Sequence, residues 1–190
     1  MTYGDSWVSL CNRALARIGT GLIQSLTTEQ VNVENARLCS LFLPEVIGSL
    51  LSQFDWKFSI REVELPRLEG GPPYTYPYPE GFARAVAVVC SAPYEFTSTG
   101  IRTVSETLTL TYVELPQEPD LIPPHVGKAI SAMLAAEVAQ AMVANEAVIA
   151  RIRAEAVQAV ERAKTDDQAG VFDSNNSVHQ DHIPWYEEAR

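Results

Sequence analysis

Apolar residues in the first third of the chain recur at helical spacing. Between Ser6 and Gly19, Val8, Cys11, Leu15 and Ile18 share one face. Asp5 or Ser6 stands where an N-cap is needed, and Gly19 where a helix stops. A second helix is predicted from Thr27, because Thr27 and Gln30 have capping-box spacing. Its stripe is Ala36, Cys39, Leu43, Val46, Leu50 and Phe54. Leu38, Leu41, Phe42, Ile47 and Leu51 widen it, which predicts cover on more than one side. Pro44 has no N–H and predicts a kink.

The period changes after Phe54. Asp55-Trp56-Lys57-Phe58 reads as an anchor between the second helix and a sheet, and Phe58, Ile60 and Val63 follow among charged residues. Gly70 to Pro79 is rich in Gly, Pro and Tyr and reads as a loop of extended backbone. Ala85 to Cys90 is a continuous apolar run, the pattern of a buried strand. From Thr107 to Val113 the alternation is clean. Leu108, Leu110 and Tyr112 point one way and Thr107, Thr109 and Thr111 the other, so one face is buried and one wet. Gly100 reads as a turn between two short strands.

Helical spacing returns after Pro123 and Pro124, which suit a helix start. Val126, Ile130, Leu134, Val138 and Ala141 form the stripe. Ala129, Ala132, Ala135, Ala136 and Ala139 would let neighbouring helices approach closely. A fourth helix, about Asn145 to Thr165, has a thin stripe of Ile149, Ile152, Ala156, Ala159 and Ala163. Arg151, Arg153, Glu155, Glu161 and Arg162 face away from it. From Ala169 the periodicity ends. The pattern predicts an α+β fold.

Composition narrows the class. At 190 residues the chain suits one domain, or one domain with an appendage, and its 46% hydrophobic share is that of a globular protein. No apolar run approaches the ~20 residues of a membrane span, and no basic-then-apolar leader is seen at the start. Cys11, Cys39 and Cys90 lie scattered in apolar contexts and read as buried free thiols in a reducing compartment. The net charge of −10 argues against a protein that wraps nucleic acid by neutralising phosphates. Asp166, Asp167, Asp173, Asp181, Glu187 and Glu188 stand against Arg190 alone, so half of that charge lies in the last stretch. A solvated tail and an arm aimed at a basic surface both fit this pattern.

Candidate chemistry is sparse. Gly19-Thr20-Gly21 lacks the third glycine of a dinucleotide loop, and no Gly-rich loop ends in Gly-Lys-Ser/Thr. His179 and His182 flank Asp181 in a polar stretch with no helix to fix them, so no metal site is expected. His125, beside Pro124, reads as a helix-start residue rather than a general base. No nucleophile, base or cofactor site is singled out. Tyr74, Tyr76 and Tyr78 could stack bases, but their local charge is near balance, whereas single-strand platforms carry a basic groove. Protein contact or loop packing fits these tyrosines better.

Phe172, Ile183, Trp185 and Tyr186 are large apolar residues in a segment too short to form its own core. The readings are a disordered terminus or a docking arm. Burying four such side chains gains on the order of 6–12 kcal/mol. Ordering about 20 residues costs roughly 1 kcal/mol or more each. One such arm binds weakly unless backbone pairing adds to it, and many arms acting together overcome this by avidity.

The order of segments carries more than any one of them. Ser6-…-Leu10-Cys11-Asn12-…-Ala14-Leu15-…-Ile18-Gly19 leads into Ile23-Gln24-Ser25-Leu26. Ala36-Arg37-Leu38-Cys39 and Leu50-Leu51 follow, then Trp56-Lys57-Phe58-Ser59-…-Arg61. The Tyr/Pro loop leads to Pro79-Glu80-Gly81-Phe82-Ala83-Arg84, and Tyr112-Val113, Pro123 and the alanine-rich helix complete the series. Taken in this order, residues 6 to 165 resemble the tail tubular protein A family, the head-to-tail adaptors of short-tailed bacteriophages. Each motif alone is a packing or loop signature. Lys57 stands where family members often have Asn, and Tyr78-Pro79-Glu80-Gly81 where they often have Leu-Pro-x-Asp.

The resemblance implies a four-helix bundle built from both chain ends, with a small antiparallel β domain between the second and third helices. The divisions expected are residues 1–55 and 121–168 for the bundle, 56–120 for the β insertion, and 169–190 for an extended portal-docking arm. It implies no enzyme and no cofactor. The role implied is a virion ring, of twelve copies, below the portal protein. The ring would extend the DNA channel without specific DNA binding and carry the tail nozzle or fibres. Assembly would occur in the host cytoplasm, with no membrane involved. By position, Phe172, His182, Ile183, Pro184, Trp185 and Tyr186 would form the arm. Tyr74, Tyr76 and Tyr78 would form a contact loop on the tail side or between subunits. An acidic channel wall would let DNA slide. Two readings compete: a small virion hydrolase using a carboxylate pair, and a helical connector of long-tailed phages, which gives no reason for the Thr107 to Val113 strand.

Overall fold

The computed structural model of the chain describes residues 6–26, 33–143 and 145–169. They form a mixed α+β structure with four α-helices and two small antiparallel sheets. Helices α1 (Trp7–Ile18) and α2 (Val33–Gln53) come first. Six strands follow: β1 (Ile60–Glu64), β2 (Tyr74–Pro77), β3 (Phe82–Cys90), β4 (Tyr94–Phe96), β5 (Gly100–Thr103) and β6 (Leu108–Glu114). Helices α3 (Pro124–Met142) and α4 (Glu146–Ala169) close the described chain.

The helix ends follow local chemistry. The Ser6 hydroxyl accepts the Ser9 N–H at 3.0 Å, and Gly19 takes φ +84° while its N–H bonds to the Leu15 carbonyl. Asn12 then pins the following loop, donating to the Ile23 carbonyl at 2.9 Å and accepting the Ile23 N–H at 2.8 Å. The buried face of α1 is Leu10, Cys11, Ala14 and Leu15, with Val8 and Ile18 half-buried beside it. The expected start of α2 at Thr27 lies outside the described residues. Within α2 both flanks of the stripe are buried, including Leu38, Ile47 and Leu51, whereas Leu41 is exposed. Pro124 occupies the first turn of α3. The Asn145 side chain accepts the Ala147 N–H at 3.0 Å and caps α4, which runs past the expected Thr165 to Ala169.

Helix α3 touches α1, α2 and α4. Ala129, Ala132, Ala135, Ala136 and Ala139 are all buried there among the larger Val126, Ile130, Leu134 and Val138. Ile152, Ala156, Val160 and Ala163 supply the α4 side of the same core. Ala141, expected on the α3 stripe, is exposed at the helix end.

Trp56 joins helices to strands. It is fully buried, its indole N–H donates to the Leu50 carbonyl at 2.9 Å, and its ring meets Phe54 edge-on. Asp55 forms an ion pair with Arg84 of β3. The segment 55–58 thus ties the end of α2 to a sheet, as its sequence predicts.

The first sheet has the order β1-β6-β3, with Ile60 opposite Val113; the second has the order β2-β5-β4. They share a second core of Leu65, Tyr76, Ile101, Leu108, Leu110 and Tyr112. Strand β6 serves both cores, because Val113 on its other side lies among the helix residues. The side expected to be wet is therefore partly covered.

Two expectations are corrected. Ala85 to Cys90 is not a buried strand. It belongs to β3, a sheet edge, and Val89 is 66% exposed. A bulge between Ala85 and Ala87 shifts the register, so Ala85 and Val88 pack inward while Val86 and Val89 turn out. The Gly70–Pro79 stretch is not all loop either. Alternating Tyr74 and Tyr76 favour a strand, and β2 pairs with β5. Pro77 is tolerated because it closes β2 opposite Gly100 at the sheet edge.

At Gly100 an added Cβ would lie 2.1 Å from the Tyr76 carbonyl oxygen. Gly100→Ala is expected to cost more than about 1 kcal/mol, with hydrogen exchange rising in β2 and β5 before the helices. Trp56→Ala is expected to cost about 3–5 kcal/mol in urea denaturation, through the cavity and the lost indole bond. A loss under ~1 kcal/mol would contradict its role as a junction.

Candidate interaction surfaces

The expected arm residues Phe172, His182, Ile183, Pro184, Trp185 and Tyr186 lie outside the described residues. The structure does describe the root from which that segment leaves. Asp167, near the end of α4, is buried, and its carboxylate accepts the Lys57 backbone N–H at 3.3 Å. His125 Nε2 lies 3.4 Å from its other oxygen, and the Lys57 ammonium bonds to the Asp167 carbonyl. Three sequence-distant points meet here: the first turn of α3, the short 3-10 turn Lys57–Ser59 that precedes β1, and the last turn of α4. His125 is thus a helix-start residue that also ties α3 to α4. Sequence reasoning grouped Asp167 with the acidic tail. Its position on the buried stripe, four residues after Ala163, was the available signal.

The three tyrosines divide. Tyr76 is buried and its hydroxyl donates to the Ser105 carbonyl at 2.9 Å. Burial also pushes its phenol pKa above the ordinary range. The Ser105 hydroxyl donates in turn to the Thr107 carbonyl at 2.7 Å, and Thr103 donates to the Pro93 carbonyl at 2.9 Å. Tyr76 therefore holds the strand connections together from within the second core. Tyr74 is half-buried, with the Arg67 guanidinium 4.3 Å from its ring centre. Tyr78 stacks on Phe82 at 4.3 Å, and its hydroxyl donates to the Thr97 carbonyl.

Among the described residues, the open apolar clefts include two of similar volume. One, of about 430 Å³, lies between the edge strands β3 and β4, over the Tyr78–Phe82 stack. Tyr94 and Phe96 form its far wall and are 45% and 50% exposed. The other, of about 420 Å³, lies among Trp7, Leu43, Pro44, Ile47 and Leu115. Pro44 sits inside α2 beside it and has no N–H for the Ser40 carbonyl. Sequence reasoning missed both clefts. Strand β4 is too short for its alternation to stand out.

Cys11 and Cys39 are buried free thiols, and Cys90 is half-buried. Donation to Cys39, together with burial, raises the Cys11 pKa far above the ordinary thiol range. Among the described residues, no group of three His, Cys, Asp or Glu side chains could hold a metal ion, and no helix is long and apolar enough to cross a membrane. Compared with protein-family models and with curated proteins, the chain matches none.

The root of α4 gives a direct test. Asp167→Ala removes the acceptor for Lys57 and the partner of His125, and is expected to cost about 1–3 kcal/mol. Hydrogen exchange over residues 161–169 is expected to rise with it. Asp167→Asn, which keeps an acceptor, is expected to recover part of the loss.

Proposed function

We propose that this chain is a structural head-to-tail adaptor of a short-tailed phage virion. In this reading α1 and α2 form a bundle with α3 and α4, and residues 56–120 form a β domain inserted between the two halves. Copies form a ring below the portal protein, twelve by the resemblance. The ring extends the DNA channel and presents a surface to the tail nozzle or fibres. Residues 169–190 form the arm that reaches the portal, with Phe172, Ile183, Trp185 and Tyr186 as its apolar anchors.

The observation that best supports this reading is the order of elements. Two helices, a block of six short strands and two further helices follow one another in the described chain, and the helices share a core. That is the layout the resemblance implies. The exposed apolar walls at β3 and β4 favour contact with protein over chemistry on a polar substrate. The strands weigh against the helical connector of long-tailed phages.

Deletion of residues 170–190 is expected to leave circular dichroism of the folded subunit intact and to abolish attachment to portal-filled heads. Sedimentation of the protein with purified portal reads the same loss as a missing ring complex. Normal attachment after the deletion would remove the docking arm from the reading. A catalytic turnover lost on substitution of one surface carboxylate would replace the adaptor with the hydrolase.

A further inference from the structure

The cleft between β3 and β4 has a particular chemistry. The two strands flank the Ser91–Pro93 corner and pair with different sheets, so each is an edge strand with one side unpaired. The floor is the parallel stack of Tyr78 on Phe82, and the wall is the edge-to-face pair Tyr94–Phe96, with ring centres 5.5 Å apart. The bulges in β3 break its hydrogen-bonding rhythm, so the gap is poorly suited to a regular added strand. An aromatic cleft of this kind suits a short extended segment with a proline, read by its side chains.

One segment of the chain has that chemistry and no place in the described residues. In the sequence Ile183-Pro184-Trp185-Tyr186, a proline stands between large apolar residues and biases the residue before it towards extended backbone. Prolines 116, 119, 123 and 124 already stand in the connection from β6 into α3. Reach is ample. Helix α4 ends two residues beyond Asp167, which is bonded to Lys57, and Asp55 nearby is paired with Arg84 of β3. From Gly170 to Ile183 the chain can extend on the order of 45 Å, against a radius of gyration of ~15 Å for a domain of this size.

We infer that Ile183–Tyr186 docks in the β3–β4 cleft of its own chain while the subunit is free, with Pro184 against the Tyr78–Phe82 floor and Trp185 against Tyr94 and Phe96. This rests on the reading of residues 169–190 as an arm. A portal would then have to draw the arm out of this cleft, which makes the cleft a competitor for the arm.

Hydrogen exchange on the full chain without portal tests the docking separately from portal attachment. Trp185→Ala is expected to speed exchange in β3 and β4 by about tenfold or more while α1 and α3 are unchanged. Phe96→Ala, at a half-exposed position, is expected to speed exchange over residues 183–186. Equal rates in the parent and both variants would overturn the inference. So would protection of β3 and β4 that disappears on dilution from about 100 to about 1 μM, which would place the arm on a second copy.

Discussion

The fold depends on how closely three helices can approach α3. A helix faced with Leu and Ile keeps its neighbours far enough away to leave their small residues uncovered. Helix α3 instead buries five alanines together with Gly127 and Ser131, alongside the larger Val126, Ile130, Leu134 and Val138. Helix α4 has a thin, alanine-rich stripe of its own, so it gains burial only against a partner that lets it come close. The small residues are what make a four-helix core possible with so little large apolar surface on α4.

The strands depend on that core through one short stretch. Trp56 fills the end of the helical core and leads through the 3-10 turn Lys57–Ser59 into β1, while Asp55 holds Arg84 on the other edge of the same sheet. Residue 57 then receives α4 through Asp167. Three residues in a row therefore connect α2, both edge strands of the first sheet and the last turn of the final helix. The end of α4 is therefore tied into the fold at this point, more firmly than the acidic residues around Asp167 suggest.

Much of this was legible in the residues. Both helix pairs, the Ser6 and Gly19 boundaries, the role of Trp56 and the alternation of β6 came from period, caps and turn formers, because those signals are local. What was not legible was non-local. Ala85 to Cys90 reads as buried because every residue is apolar, and only the pairing order shows that β3 is an edge. Tyr74 and Tyr76 were hidden by the prolines around them, whose effect on a strand depends on whether it lies at an edge. The aromatic cleft has no local signature, because its walls come from residues 78–96 on two different sheets. Asp167 was masked by the acids beside it, and its burial depends on an N–H more than a hundred positions away. The residues expected to form an arm, Phe172 and Ile183 to Tyr186, fall beyond the described residues.

Strand β6 has a further consequence, through its two-sided burial. Tyr112 faces the aromatic core between the sheets and Val113 the helices. A slip of one position in its pairing would turn the phenol into the helical core and the valine towards the sheets. Both cores would reject the same error at once. The strand thus acts as a proofreader of register for the whole molecule, and a misassembled sheet cannot be hidden beneath a correctly assembled set of helices.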